Sequence, residues 1–550
     1  MAGYPENPLF FGLDLSTQQL KGVLISQDAC VVHESCVHFE SDLAHYGTVK
    51  GAIPGPNGEA TSPVAMWLEA YDLLLTRMRA AGVDFGSIVA ISGSGQQHGS
   101  VYWSADGEKL LSTLDAAKPL TQLAPGAFAW QRAPIWQDSS TTRECRELEE
   151  AAGGAQQLAD LTGSRGYERF TGPQIKKLRR VDPATYAASA RISLVSSFMH
   201  SVFLGHIGPI EISDASGMNL MNVLTCKWED KLLEAAGGPE LRAKLGPEPV
   251  PGGTTLGKID RYWVERWGFN PECIIAPTTG DNPATVIGLS APGDAILSLG
   301  TSTTFLLSIP PSDTPPKRFT TSHILTHPTT LDSHIAMLCY KNGGLAREQV
   351  RDRAAEADWA KYNQLVEARP AGNNGDFGFY FPLPEIIPPN VLGEFFYHLA
   401  PGASHPEPVE SIAREAAPRA VVESQFLSIL SRIAAILPAN APPLQRLVIS
   451  GGSSANPVIR QLAADVFGMK VYVSSTKEAA ALGASLLAKY AWWKGLNEGE
   501  GTFEEMSGGE VPGMKCVAEP NQETHKVYTN LVDAYRWCEA DVVRKGTIPA

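Results

Sequence analysis

Two stretches of the chain set apolar runs on either side of a short break rich in Gly, Asp, Ser and Thr. One is LFFGLDLSTQQLKGVLI, from Leu9 to Ile25, and the other is LSLGTSTTFLL, from Leu297 to Leu307. Each pattern predicts a strand, a tight turn rich in backbone and hydroxyl donors, and a returning strand. Further strand-like runs occupy Cys30–Phe39 and Ile88–Ser92. Between them, Pro63–Ala80 sets Trp67, Tyr71, Leu74 and Leu75 at helical spacing. Mixed helical and loop sequence runs from Thr141 to about Arg266. The Pro and Gly residues of PTTGDNPATVIGLSAPGD then mark a break before the strand AILSLG. Residues 423–437 read as an amphipathic helix, ended by Pro442 and Pro443, and RLVISGG starts another buried strand. IPPSDTPPKR and FPLPEIIPP predict surface loops, because proline blocks helix and central strand. The tail after Lys494 is Gly- and Glu-rich up to a last helix, HKVYTNLVDAYRWCEADVVR.

The two matched breaks stand about half the chain apart. Two similar α/β halves, each opening with a hairpin, account for that spacing. A chain of 550 residues also exceeds one compact core, so two large domains are expected, 1–290 and 291–550. The formal net charge of −14 argues against a nucleic-acid or anionic-membrane surface. A phosphate ligand remains compatible, since such sites use backbone N–H groups, hydroxyls and Mg²⁺. The N-terminal MAGYPENPLFF lacks the basic and apolar regions of a signal peptide, and no run reaches the roughly 18 apolar residues that span a bilayer. Eight scattered cysteines without a Cys-x-x-Cys pair indicate neither a zinc site nor a disulfide framework, and fit a reducing, cytoplasmic setting. Cys30, His33, Cys36 and His38 cluster in sequence, but VVHESCVHFE alternates as an edge strand does and sends them to both faces.

Candidate chemistry sits in the breaks. Asp14, flanked by Ser16 and Thr17, suits Mg²⁺ and phosphate oxygens, or merely stabilises its hairpin. Asp281, between Gly280 and Asn282-Pro283, suits a base that takes the proton of an attacking hydroxyl; alternatively it caps the helix PATVIGL, or Asn282 caps it and leaves Asp281 free. ISGSGQQHGSVYW brings Gln96, Gln97 and His98 to a glycine-rich loop, able to bond sugar hydroxyls or serving structure alone. Asp138 in PIWQDSST and Arg169 in GYERFTG are groups that recognise polyols, or ordinary salt-bridge partners. In LVISGGSSANPVIRQLAADVFGMKVYV, Gly451 and Gly452 let a nucleobase or ribose approach backbone, and Asn456 adds an amide; alternatively the glycines serve turn geometry only. GGTTLGKI has P-loop spacing at Gly252, Gly257 and Lys258, but Ile259 stands where the Mg²⁺ hydroxyl is needed, so it is not one.

Taken in order, GLDLST, GSGQQHG, WQDSST, GDNPAT, SLGTST and ISGGSSAN resemble the FGGY carbohydrate kinases, nearest their eukaryotic xylulokinase branch, from about Leu9 to about Ala488. The resemblance implies an actin-like ATPase (ribonuclease H-like) α/β fold, with two similar domains flanking a catalytic cleft. It implies ATP and Mg²⁺ as cofactors and phosphorylation of D-xylulose to D-xylulose 5-phosphate, with a monomer or homodimer acting on small molecules only. By that likeness Asp281 matches the catalytic base, and His98, Arg169, Asp281 and Asn282 match sugar contacts. Asp14 matches the metal side of the first phosphate loop, with Thr17 beside it, and Gly300 and Thr301 belong to the second loop. Gly451, Gly452, Ser453 and Asn456 match the adenosine motif, and Trp359 a nucleotide contact or a buried anchor. Ser16-Thr17-Gln18-Gln19 departs from the family's commoner Gly-Thr followed by small residues. Rival readings within the fold are another ketose, a pentitol or glycerol as acceptor; outside enzymes, a non-catalytic actin-like nucleotide-binding protein.

Overall fold

The computed structural model describes residues 5–438, 440–476, 478–509, 511 and 513–548. The chain divides into two compact units. Met1–Ala291, Ile324–Ile335 and Glu478–Pro512 form the first; Pro292–His323, Ala336–Lys477 and Gly513–Ala550 form the second.

The first unit is built on the hairpin Leu9–Leu15 and Gln19–Ile25, paired antiparallel. Its second strand pairs antiparallel with Val31–His38, which is the sheet's edge. On the other side, Leu9–Leu15 runs parallel to Ile88–Gly95, which runs parallel to Ile274–Ile275. The second unit repeats this order. Ala295–Leu299 and Thr303–Ser308 form the antiparallel hairpin, His334–Tyr340 neighbours its second strand, and Arg446–Ser450 and then Lys470–Ser474 follow in parallel on the other side. The recurring hairpin pattern of the sequence is therefore a repeated sheet topology, third-second-first-fourth-fifth in each unit. Parallel neighbours require crossovers, and helices supply them: Val64–Ala80 before Ile88–Gly95, and Ala417–Ile436 before Arg446–Ser450.

Strand parity explains what the first hairpin strand does. Phe11, Leu13 and Leu15 point into a core shared with Trp67, Leu74 and Leu75 of helix Val64–Ala80. Phe10 points to the opposite face, into a cluster with Leu482, Leu486 and Trp492 of helix Ala479–Leu496. Gly12 and Asp14 share the parity of Phe10. A Cβ at Gly12 would fall 2.2 Å from the Ala481 carbonyl oxygen and 2.3 Å from the Ser485 nitrogen. Gly12 thus lies inside the strand, bare so that a helix can press on it, and the turn itself is Ser16–Gln19, closed by Ser16 N–H donating to Gln19 O at 3.0 Å.

Several elements run further than their patterns predict. The Ile88 strand extends to Gly95 because each residue from Ala90 through Gly95 finds a partner on Leu9–Leu15. The 423–437 helix begins at Ala417, since Pro418 sits in the first turn where no backbone donor is lost. The tail is integral to the second unit. Met514–Ala518 pairs with Lys470–Ser474, and Gln522–Gly546 docks through Tyr528 on Glu423 (2.7 Å) and Glu539 on Arg432 (2.9 Å). Among the described residues, no helix is long and apolar enough to cross a membrane.

Candidate functional site

In the first unit, four carboxylates converge at the C-terminal ends of the central strands. Asp14 stands opposite Ser94 in the parallel register, and the Ser94 hydroxyl donates to its Oδ1 at 2.8 Å. Burial lifts the Asp14 carboxyl to about 6, with Ser94 and the Lys21 charge opposing the rise. Lys21, its antiparallel partner, is ion-paired with Glu478 at the start of helix Ala479–Leu496. Asp281 opens helix Asp281–Leu289. Neither it nor Asn282 caps that helix, so both capping alternatives fall: Gly280 is the N-cap residue, and no side chain closes the first turn. Asp281 Oδ1 instead accepts from the Asn282 N–H at 3.0 Å and its Nδ2 at 3.2 Å. Burial pushes the Asp281 carboxyl up to about 7; the charges of Asp14 and Asp214 add to this, while backbone N–H groups of Asn282 and Gln97 oppose it.

Behind Asp281 stand two acids that the sequence reading passed over. Glu211 caps the short helix Ile212–Ala215, accepting from the Ser213 and Asp214 N–H groups at 2.9 and 3.0 Å, and receives the Thr279 hydroxyl at 2.5 Å. Burial raises it to about 8. Asp214 accepts from Ser196 Oγ at 2.5 Å, and burial raises it to about 7. Its Oδ1 is buried without a hydrogen-bond partner. A Cβ at Gly280 would lie 2.7 Å from that oxygen and 2.4 Å from Gln97 Cγ, so only glycine lets the Asp281 backbone come this close.

His98 and its neighbours form the other wall. Gln97 Oε1 accepts from Asn282 Nδ2 at 2.9 Å, tying the QQHG loop to Asp281. His98 has φ +73°, stacks on Phe170 with ring centroids 4.4 Å apart, and bonds the Gly217 carbonyl through Nδ1 at 2.9 Å. A carbonyl only accepts, so the proton is on Nδ1 and Nε2 is left as an acceptor. Burial and the nearby Arg169 charge hold His98 down at about 3, so the ring is neutral. Arg169 is half-buried and, among the described residues, forms no ion pair; its guanidinium lies 5.9 Å from the Tyr167 ring. Asp138 differs. It is buried and accepts from the Ala60 N–H, the Ser140 N–H and hydroxyl, and Gln174 Nε2, which makes it a fastener of its loop rather than a group open to a polyol. Thr17 is likewise engaged: Trp136 Nε1 donates to its hydroxyl at 2.8 Å, and that hydroxyl donates to Gln96 at 3.4 Å. Lys258 of the P-loop-like stretch lies at the sheet's far edge, paired with Glu272 at 2.7 Å.

The second unit carries a hollow of about 570 Å³. Gly300, Thr301, Trp359, Gly452, Ser453 and Asn456 line it together with Gly344, Glu348 and Asn363. Gly300 and the exposed Thr301 stand at the tip of the hairpin, and their carbonyls receive the Gly344 and Leu345 N–H groups at 2.9 and 3.3 Å. Asn456 caps helix Pro457–Phe467 through Oδ1 and donates to Asn363 Oδ1 at 2.7 Å. Gly451 has φ +83° and rests against the Leu299 backbone, whereas Gly452 faces open space. Trp359, half-buried at the start of helix Trp359–Glu367, presents a ring with Arg351 4.8 Å from its centroid.

Of the residues singled out from sequence, the structure gathers Asp14, His98, Asp281 and Asn282 in the first unit, with Arg169 acting on His98, and gathers six nucleotide candidates round one hollow in the second. Glu211 and Asp214 were missed because EISDASGM has no motif spacing; two acids amid small residues were the available signal.

Models of the FGGY family of carbohydrate kinases match twice, the N-terminal domain over residues 130–288 and the C-terminal domain over 295–492. D-xylulose kinase A of Aspergillus niger is 42% identical over 98% of this chain and 99% of its own length. The probable D-xylulose kinase A of Aspergillus flavus is 43% identical over 92% of each. The crystal structure of a xyloylose kinase from Brucella ovis superposes with a TM-score of 0.78 at 20% identity, covering 98% of this chain and 100% of that one, which is a likeness of fold.

Proposed function

The chain belongs to the FGGY family of carbohydrate kinases, and we propose that its acceptor is D-xylulose, phosphorylated on O5 by ATP to D-xylulose 5-phosphate. The protein is a sugar kinase with the family's two-domain, actin-like ATPase fold. Identity of 42% to a D-xylulose kinase across nearly the whole chain supports the choice of sugar.

One observation carries the mechanism: Asp281 is a carboxylate held near neutrality at about 7, beside a neutral His98 and an Arg169 with no carboxylate partner among the described residues. A base with that value takes a hydroxyl proton at physiological pH without being permanently protonated. His98 Nε2 accepts from one sugar hydroxyl and Asn282 Oδ1, whose Nδ2 is taken by Gln97 and Asp281, from another, while Arg169 donates to an oxygen. These contacts hold the acceptor oxygen at Asp281, and such positioning supplies much of the rate. The oxygen donors fit Mg²⁺: Asp14 is a buried carboxylate crowded by Asp281, a repulsion a cation relieves, and one carboxylate with phosphate oxygens and waters satisfies that ion. Mg²⁺ bound by Asp14 would neutralise charge on the transferring phosphate. Gly300 and Thr301 offer the nucleotide's phosphates a hairpin tip, and Gly452, Ser453, Asn456 and Trp359 offer its nucleoside a lined hollow. Cysteines scattered along the chain without a Cys-x-x-Cys pair support a reducing, cytoplasmic setting.

The test is a coupled ADP-release assay over pentuloses, pentitols and glycerol, run on the wild type and on Asp281→Ala. D-xylulose should give the highest kcat/KM. Asp281→Ala should lose turnover by about 10³-fold or more while still binding ADP and D-xylulose in calorimetry. Near-normal turnover in that variant would remove Asp281 as the base, and a better substrate elsewhere in the panel would change the sugar.

A further inference from the structure

A polyanion-binding hollow normally shows a cation on its wall, and among the described residues this one shows none. Its described lining holds no Lys or Arg and one acid, Glu348. A cation does lie behind the wall. Arg347, on helix Gly344–Ala355, is 0% exposed. Its Nη1 donates to Gln425 Oε1 at 2.6 Å and its Nη2 to Ser453 Oγ at 3.1 Å, while Nε has no hydrogen-bond partner. No carboxylate lies within ion-pair distance of it among the described residues.

A buried guanidinium on neutral acceptors is costly, because burial removes water and the Glu348 charge offsets only part of that loss. That cost holds its pKa down to about 10, still charged at neutral pH. Such an arrangement is stabilised when an anion occupies the adjacent space. Arg347 also holds both loops that meet the hollow. Through Ser453 it reaches the Gly452–Ala455 turn; through Gln425, whose Nε2 donates to the Asn342 and Gly343 carbonyls at 2.9 and 3.1 Å, it reaches the loop that leads to Gly344.

We propose that Arg347 is the positioning residue of the nucleotide hollow: it fixes Ser453 and supplies, from behind the wall, the positive charge that favours nucleoside polyphosphates over uncharged nucleosides. The proposal rests on the nucleotide reading of this hollow. A field acting on the ligand scales with ligand charge, whereas a bracket that merely shapes the hollow affects charged and uncharged ligands alike.

The experiment is calorimetric binding of Mg-ADP, AMP and adenosine to the full-length protein, wild type, Arg347→Gln and Arg347→Lys, with KM for ATP and D-xylulose measured alongside. In Arg347→Gln the Kd for ADP should rise at least ten-fold, AMP less, and adenosine no more than two-fold, with KM for D-xylulose unchanged. Arg347→Lys should keep the ADP-to-adenosine ratio within three-fold of wild type. Equal losses for ADP and adenosine in Arg347→Gln overturn the proposal, as does an unchanged ADP affinity. If Arg347→Gln does not fold, Arg347→Lys decides alone: a collapsed ratio there overturns it. A wild type that binds no ADP would instead sink the nucleotide reading itself.

Discussion

A carboxylate at Asp281 serves as a base only while ionised, and its surroundings set when that is. Burial, Asp14 and Asp214 together hold it at about 7, so kcat/KM for the sugar should climb with pH through about 7 in the free enzyme. Asp214→Asn removes one of the charges that raise it. The midpoint of the pH–rate profile should then fall by about one unit. The same substitution has a stability signature of determinate sign. Asp214 titrates at about 7 in the folded chain against an ordinary 3.8, so its proton favours the folded state. That contribution is full below about pH 3.8 and is lost as pH rises through about 7. Urea midpoints should therefore favour Asp214→Asn over wild type more strongly at pH 8 than at pH 5. A pH-independent difference would mean that Asp214 acts only through its hydrogen bond to Ser196.

At the level of elements, the helix that begins with Asp281 is held by contact with a helix nearly two hundred residues further along the chain. A Cβ at Gly483 would stand 1.8 Å from the Ala284 carbonyl oxygen, and one at Gly288 would stand 2.4 Å from the Ala479 carbonyl oxygen. Helices Asp281–Leu289 and Ala479–Leu496 therefore meet backbone to backbone, and the second presses on Gly12 of the first hairpin. One methyl group at that crossing has nowhere to go, because both neighbours are backbone. Gly483→Ala should destabilise the protein by about 3 kcal/mol, lowering the thermal midpoint by roughly 3–4 °C for a unit of this size, and should cut kcat by displacing Asp281. An unaltered melting temperature would show that the crossing relaxes freely.

The whole molecule threads its first unit from three stretches of chain, the last being Glu478–Pro512. Phe10, Val23, Ile25, Val89 and Ala90 of the sheet share one apolar cluster with Leu482, Leu486, Leu487 and Trp492. A fragment of residues 1–290 would keep every sugar-site candidate yet leave that sheet face bare. Such a fragment should be aggregation-prone or lack fixed side-chain packing, with weak near-UV circular dichroism and no D-xylulose binding. A well-folded, sugar-binding 1–290 would show that the returning helix is dispensable.

Local chemistry made the hairpins, the long helices and the order of the motif-bearing turns legible from residues alone, since alternation, helical spacing and Gly/Pro breaks act over a few neighbours. His98, Asp281 and the glycines of the 451–456 turn could be read because each sits in such a break, and Asp14 because its strand ends in one. The reasons for Gly12 and Gly280 could not: a bare backbone in a strand and one before a helix are explained only by Ser485 and Asp214 arriving from far along the chain. The acids Glu211 and Asp214, the engaged Asp138 and Thr17, and the unpaired Arg347 were likewise decided by tertiary structure. Burial and the identity of a side chain's partners are properties of packing between distant segments, and they determine whether a carboxylate is a fastener, a charge or a base.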